Sequence, residues 1–252
     1  MADFGRLAAQ LLAAVLAMLA TGSTVAQVRF DNWIYYQRNT DDSTRWQYRP
    51  RFYVPLDLGS GWTFTQRVDL PLYYTDRTGS ENPGGEWKEG IGDWYAEESL
   101  TTPELARATR ATLGVRFVFP TGGLSPFGSG QYQWAPSAGL SYTAAELNMT
   151  LAPLARYFMS YHANEAGAGQ VRRLDLYPQL TKRFDGGWAL GFWIENGISY
   201  NKVSEKWFVP VDVMLIKRMR KDLEFMLGGA YGMVRDDPQY LTQIYGRVTL
   251  YF

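Results

Sequence analysis

The 252-residue sequence has no cysteine and one histidine, His162. Without thiols, neither disulfides nor thiolate metal centres hold the fold together. A single imidazole leaves no histidine cluster for a metal, and no metal or cofactor is expected. Lysine is scarce as well: of 25 basic residues, 6 are Lys and 19 are Arg. The 25 acidic residues balance them to a formal net charge of zero. That balance excludes the basic footprint of a nucleic-acid-binding chain. Long apolar runs are missing too, except for residues 7–20. That run is too short to cross a bilayer as a helix, which needs about 20 residues. Arg6 precedes it and Thr24-Val25-Ala26 follows. The pattern is that of a secretory signal peptide cut near Ala26, so residues 1–26 are expected to be a leader and 27–252 one exported domain. An exported chain with no spanning helix enters a membrane only as a closed barrel.

Aromatic residues make up 15% of the chain, with 25 Gly, 17 Tyr and 9 Trp. The last stretch alternates with period two. Ile244, Val248, Leu250 and Phe252 share one side, and Gln243, Tyr245, Arg247 and Thr249 share the other. Period two means a strand whose faces meet different solvents. As the edge of a soluble sheet, such a bare apolar face would invite aggregation. An apolar series ending on Val248, Leu250 and a terminal Phe252 resembles the C-terminal assembly signal of bacterial outer-membrane barrels.

Twelve strand-like segments precede and include it, near 28–38, 44–55, 61–74, 91–102, 108–119, 130–143, 145–160, 171–184, 187–200, 207–217, 221–235 and 240–252. Each is about ten residues or longer, the length a tilted spanning strand needs. Tight turns follow segments two, six, eight and ten; longer polar stretches follow three, five and seven. Alternating short turns and long loops mark the periplasmic and outer sides of an antiparallel up-and-down transmembrane β-barrel. The longest loop, around Gly79-Ser80-Glu81-Asn82-Pro83-Gly84-Gly85, is expected to act as a lid or to fold into the lumen.

Setting each segment by its apolar side fixes where the charges fall. The inward basic set is Arg45, Arg49, Arg51, Arg67, Arg110, Arg116, Arg156, Arg173, Arg183 and Arg247. The inward acidic set is Asp69, Asp93, Glu97, Glu146, Asp175, Glu195, Asp212 and Glu224. Charges at mid-bilayer on the lipid face cost roughly 2–4 kcal/mol, which is why they collect on the other side. Glu98 breaks the rule and requires either a bulge or a different strand phase. In the first segment, Trp33 and Tyr35 compete with Phe30, Ile34 and Tyr36 for the outward side. Ten Arg against eight acids leave a surplus of two positive charges. The basic residues of segments two, three and five would face the acids of segments nine to eleven across the lumen.

Three glycine-rich stretches carry a family resemblance: Gly90-Ile91-Gly92-Asp93, Phe117-Val118-Phe119-Pro120-Thr121-Gly122-Gly123, and Gly128-Ser129-Gly130 running into Gln131 to Tyr142. From about Gly90 onward the chain is similar to the outer-membrane transporters grouped as the "MetA-pathway of phenol degradation" family. The resemblance implies passage of small, often aromatic compounds across the bacterial outer membrane.

The expectation is therefore a passive outer-membrane channel for small, weakly anionic or aromatic solutes. It is not expected to be an enzyme. Its partners would be outer-membrane lipids, lipopolysaccharide, the barrel-assembly machinery and the small-molecule solute. Two alternatives differ in class. Ser160 and His162, two apart on one strand face, suggest a hydrolase, and a fully closed barrel would be structural only. Asp41-Asp42 and Asp236-Asp237 are carboxylate pairs at loop tips that could hold a cation or simply solvate a turn.

Overall fold

The computed structural model describes Thr24, Val25 and residues 27–252. The apolar run of the expected leader lies outside the described residues. Twelve antiparallel strands follow one another around a closed barrel. They are β1 (Arg29–Arg38), β2 (Thr44–Gly59), β3 (Trp62–Asp69 with Leu72–Thr75) and β4 (Lys88–Ile91 with Trp94–Thr101). Next come β5 (Thr109–Phe119), β6 (Gln131–Ala144), β7 (Met149–Leu151 with Leu154–Ala163) and β8 (Arg172–Tyr177 with Leu180–Phe184). The last four are β9 (Trp188–Phe192 with Ile198–Asn201), β10 (Lys206–Arg220), β11 (Leu223–Arg235) and β12 (Thr242–Tyr251). Closure is made by β12 on β1, in continuous register from Thr242↔Arg38 to Tyr251↔Arg29. The sheet thus has no free edge, which is the physical requirement for a sheet in lipid. Thr24 and Val25 pair with Asp57 and Leu56 at the turn end of β2.

The inside and outside of this wall are inverted relative to a soluble protein. Ile34, Leu113, Leu140, Leu227 and Ile244 are all exposed on the outer face. Asp31, Asp69, Asp212 and Thr249 are fully buried inside. Exposed aromatics sit near strand ends: Trp46, Tyr74, Trp134, Tyr161 and Trp207 toward the loops, Trp62, Phe184, Trp188 and Phe252 toward the turns. These are the two interfacial girdles of a membrane barrel.

Two points of phase are settled by the structure. In β1, Trp33 and Tyr35 are buried inward while Ile34 is exposed. Their rings join Met214, Met226 and Tyr245 in an apolar cluster inside the lumen. The β4–β5 register runs unshifted from Trp94↔Phe119 to Thr101↔Thr112. No bulge turns Glu98 inward, and it stands on the outer face opposite Gln66.

One expected lumen acid is misplaced by the sequence pattern. The chain between β6 and β7 is a short 3-10 turn, Ala145–Leu147, closed by Asn148 at φ 49°. Glu146 lies exposed in that turn and does not line the lumen. Strand β7 starts only at Met149, because the reversal consumes the four residues, 145–148, that the alternation assigns to the strand.

Candidate functional site

The lumen is crossed by a limb that the strand pattern alone does not show. On β9, six steps separate Phe192 from Ile198; on the paired β8, only four separate Leu180 from Leu176. The two surplus residues have no place in the ladder, so residues 193–197 leave the wall as an enlarged bulge. Trp193 takes φ 49° at the exit, and its indole N–H donates to the Pro210 carbonyl at 2.9 Å. At the return, Gly197 lies so close to β8 that a Cβ would stand 2.7 Å from the Leu176 carbonyl oxygen. Only glycine allows that approach.

Asp212 of β10 holds the limb. Its carboxylate accepts from the Glu195 and Asn196 backbone N–H groups at 3.3 and 3.2 Å, and from the Asn196 amide at 2.9 Å. It also accepts from the Tyr245 hydroxyl at 2.6 Å. Ile194 rests on the Trp33–Tyr245 cluster, and Asn196 accepts from Gln243 at 2.9 Å. So positioned, Glu195 reaches the wall on the far side of the barrel. It meets Arg49 at 2.5 Å and Arg51 at 3.2 Å, both on β2, and accepts from the Tyr35 hydroxyl at 2.7 Å.

From that contact a chain of charge runs along the wall. Arg51 bonds Asp69 at 2.9 Å, and Arg67 bonds the same carboxylate at 2.6 Å. Arg67 also reaches Glu97 at 3.4 Å. Glu97 collects Arg116 of β5 at 2.5 Å and Arg156 of β7 at 2.8 Å. Shared carboxylates are how several guanidinium groups are held together in a confined space, since each fork can engage more than one acceptor. A second group forms at the turn end, where Arg247 bonds Glu224 and approaches Asp31 at 3.8 Å, and Arg29 bonds Asp31 at 2.5 Å.

The remaining residues of the expected lining take other places. Arg173 pairs with Asp175 at 2.8 Å on its own strand. Arg45 bonds Gln37 at 2.7 Å, with its guanidinium 4.9 Å from the centre of the Tyr73 ring. Arg110 and Arg183 are exposed at the turn end, where Arg183 donates to the Thr150 hydroxyl at 2.8 Å. Asp93 acts on a loop: it accepts from the Ser129 N–H and hydroxyl, both at 2.8 Å, and from the Gly122 N–H at 3.2 Å. The three glycine-rich stretches therefore meet at one point, the root of the loop between β5 and β6. The expected separation into a basic and an acidic wall does not occur. The limb carries Glu195 across the gap, and Asp212 is spent on holding the limb.

Two cavities flank the limb. The loop-side chamber, about 290 Å³, is lined among others by Asp93, Tyr95, Phe158, Arg173, Ser199 and Tyr240. The turn-side chamber, about 250 Å³, is lined among others by Arg29, Trp33, Tyr53, Arg156, Gln179 and Arg247. Arg49, Arg116, Tyr177 and Glu195 belong to both linings, so the constriction lies between the chambers. The long loop does not form it. Asn82 donates to the Arg77 and Glu86 carbonyls at 3.1 and 2.7 Å, and the Glu81 N–H bonds Ser125 O at 2.9 Å. The Asn82 bonds brace the loop internally, and the Glu81 bond docks it on its neighbour.

Ser160 and His162 are set apart by a register shift that falls between them. The Ser160 hydroxyl accepts from the Val171 N–H at 3.0 Å, and His162 is exposed with its ring 5.8 Å from that of Tyr132. At the first loop tip, Asp41 accepts from the Ser43 hydroxyl at 2.5 Å, which holds its carboxyl below the usual range. Its neighbour Asp42 pairs with Arg38 at 2.6 Å. Asp237 accepts from Asn201 at 3.0 Å.

No family model matches the sequence, and no curated protein does. Solved structures do match the fold. A COG4313 outer membrane channel from Pseudomonas putida F1 is similar with a TM-score of 0.71 at 13% identity, over 91% of this chain and 96% of that one. The NanC porin matches with a TM-score of 0.54 at 14% identity, over 89% and 98%. Outer membrane phospholipase A from Escherichia coli matches with a TM-score of 0.50 at 11% identity, over 88% and 89%. The fold is that of bacterial outer-membrane β-barrels.

Proposed function

We propose that this barrel is an outer-membrane channel for small polar or weakly anionic solutes, of the kind its glycine-rich stretches resemble in the MetA-pathway transporters. The observation that carries the reading is the pair of chambers stacked along the barrel axis and meeting at the Arg49–Glu195 contact. A barrel serving only as a scaffold needs no such internal space, and its lumen could be closed by side-chain packing alone. The channel and the porin among the matching structures share the architecture and support the same reading. Lipids and lipopolysaccharide would surround the apolar belt, and the assembly machinery would read Val248, Leu250 and Phe252.

Solutes would pass the constriction in file, sorted by a lining in which guanidinium groups outnumber carboxylates. The test is conductance of the purified protein in a planar bilayer under a salt gradient. Discrete steps are expected, with a reversal potential on the anion side. That preference should fade toward 1 M salt, where the Debye length is about 3 Å. Absence of any conductance, together with no swelling of proteoliposomes in small sugars, would refute the reading.

A further inference from the structure

The turn-side chamber has a chemistry of its own. Seven arginines line it, against one carboxylate, Glu195. Behind the lining, the carboxylates paired with those arginines are Asp31, Asp69, Glu97, Glu195 and Glu224. Seven guanidinium groups less five carboxylates leave two positive charges on this network. The surplus coincides with donors that lack acceptors. The Nε atoms of Arg49, Arg156 and Arg247 and the indole Nε1 of Trp33 are buried without a hydrogen-bond partner. All four residues line the chamber, and Trp33, Arg156 and Arg247 are more than nine-tenths buried. Buried donors are nearly always satisfied; these four have almost no free surface, so an acceptor in the chamber would meet them only as the side chains turn toward it.

The positions of these donors limit what the acceptors can be. Arg156 stands on β7. Trp33 and Arg247 stand on β1 and β12, which pair with each other at Arg247↔Trp33. In a ring of twelve strands, β7 lies opposite β1. The donors thus come from opposed walls of one chamber, and a ligand with a single charged end would satisfy only one of them. Apolar groups, Leu154 and Ile194, line the space as well.

We propose that the turn-side chamber is a binding site for a small organic dianion of the dicarboxylate or tricarboxylate class, one carboxylate toward Arg156 and another toward Trp33 and Arg247. The proposal deepens the channel reading, since the site lies on the path a solute would take. It would make the lumen a saturable one, with the solute resting between the constriction and the periplasmic mouth.

Binding is measured without transport, by titration calorimetry of the detergent-solubilised barrel at low salt. The probes are succinate and tricarballylate, with succinamide as a neutral isostere and inorganic phosphate as a compact anion. Saturable heat with succinate or tricarballylate, none with succinamide and weaker binding of phosphate are expected. Trp33→Phe keeps the ring and removes one donor. Arg156→Gln leaves Glu97 with Arg67 and Arg116. Each should weaken binding about tenfold while the heat-modifiable band shift of a folded barrel is retained. No saturable heat with either carboxylate overturns the proposal, as does undiminished binding in both folded variants. Phosphate binding as tightly as tricarballylate overturns the assignment to carboxylates. Conductance of the same preparations separates the two claims: a barrel that conducts but does not bind refutes the site alone, and one that binds but does not conduct refutes the channel alone.

Discussion

Glu195 is the side chain on which the bore of the lumen depends. It bridges the limb to Arg49 and Arg51, so Glu195→Gln should loosen the crossing and leave both arginines less neutralised. Larger unitary conductance and a reversal potential moved further to the anion side are expected in planar bilayers. Arginine removal is not uniform in its consequences. Asp69 is fully buried and its cations are Arg51 and Arg67, so Arg49→Ala, Arg51→Ala and Arg67→Ala together strand a buried carboxylate. Breaking such a pair costs roughly 3–5 kcal/mol, and the triple variant should refold poorly by gel mobility. Arg49→Ala alone should fold and shift selectivity toward cations. The alternation of strands made the inward position of Arg49, Arg51, Asp69 and Glu97 legible. It could not reveal that Asp93 ties down a loop or that Asp212 secures the limb, because those roles depend on which distant backbone N–H groups arrive nearby. Glycine content around Gly90, Gly122 and Gly128 was the available signal that chain segments approach closely there.

At the scale of the element, the period-two pattern placed all twelve strands. Their ends were less legible: β4 begins at Lys88, and β7 gives up residues 145–148 to a turn. The excursion of residues 193–197 left no mark in the alternation, because Phe192 and Ile198 keep the same parity on either side of it. The wall itself makes a direct prediction. Leu190 pairs with the exposed Leu215 on the lipid side, Leu176 shares its parity on β8, and Gln179 lines the turn-side chamber. Leu176→Arg and Leu190→Arg should each cost roughly 2–4 kcal/mol if near the bilayer midplane, lowering folding yield into lipid vesicles. Gln179→Arg and Thr181→Arg should fold with normal yield. Equal losses in both sets would mean that the assigned faces are wrong.

For the whole molecule, closure matters more than any single contact. The β12–β1 seam closes the ring, and Phe252 donates its N–H to Val28 O at 2.9 Å beside it. Deleting Phe252 should reduce the amount of membrane-inserted, heat-modifiable barrel several-fold without altering the conductance of the molecules that do assemble. Normal insertion of the truncated chain would remove this residue from the assembly signal.

The two-residue surplus in β9 has a consequence for how such a molecule can change over time. An odd insertion must be absorbed at once in a one-residue bulge, as at Val209/Pro210, or it reverses every side chain beyond it. An even one leaves the wall untouched and is felt only at the bore. Calibre and scaffold are thus separately editable: excising Glu195 and Asn196 together should yield an intact, wider barrel, and excising Glu195 alone should leave a one-residue bulge of the kind the wall already holds.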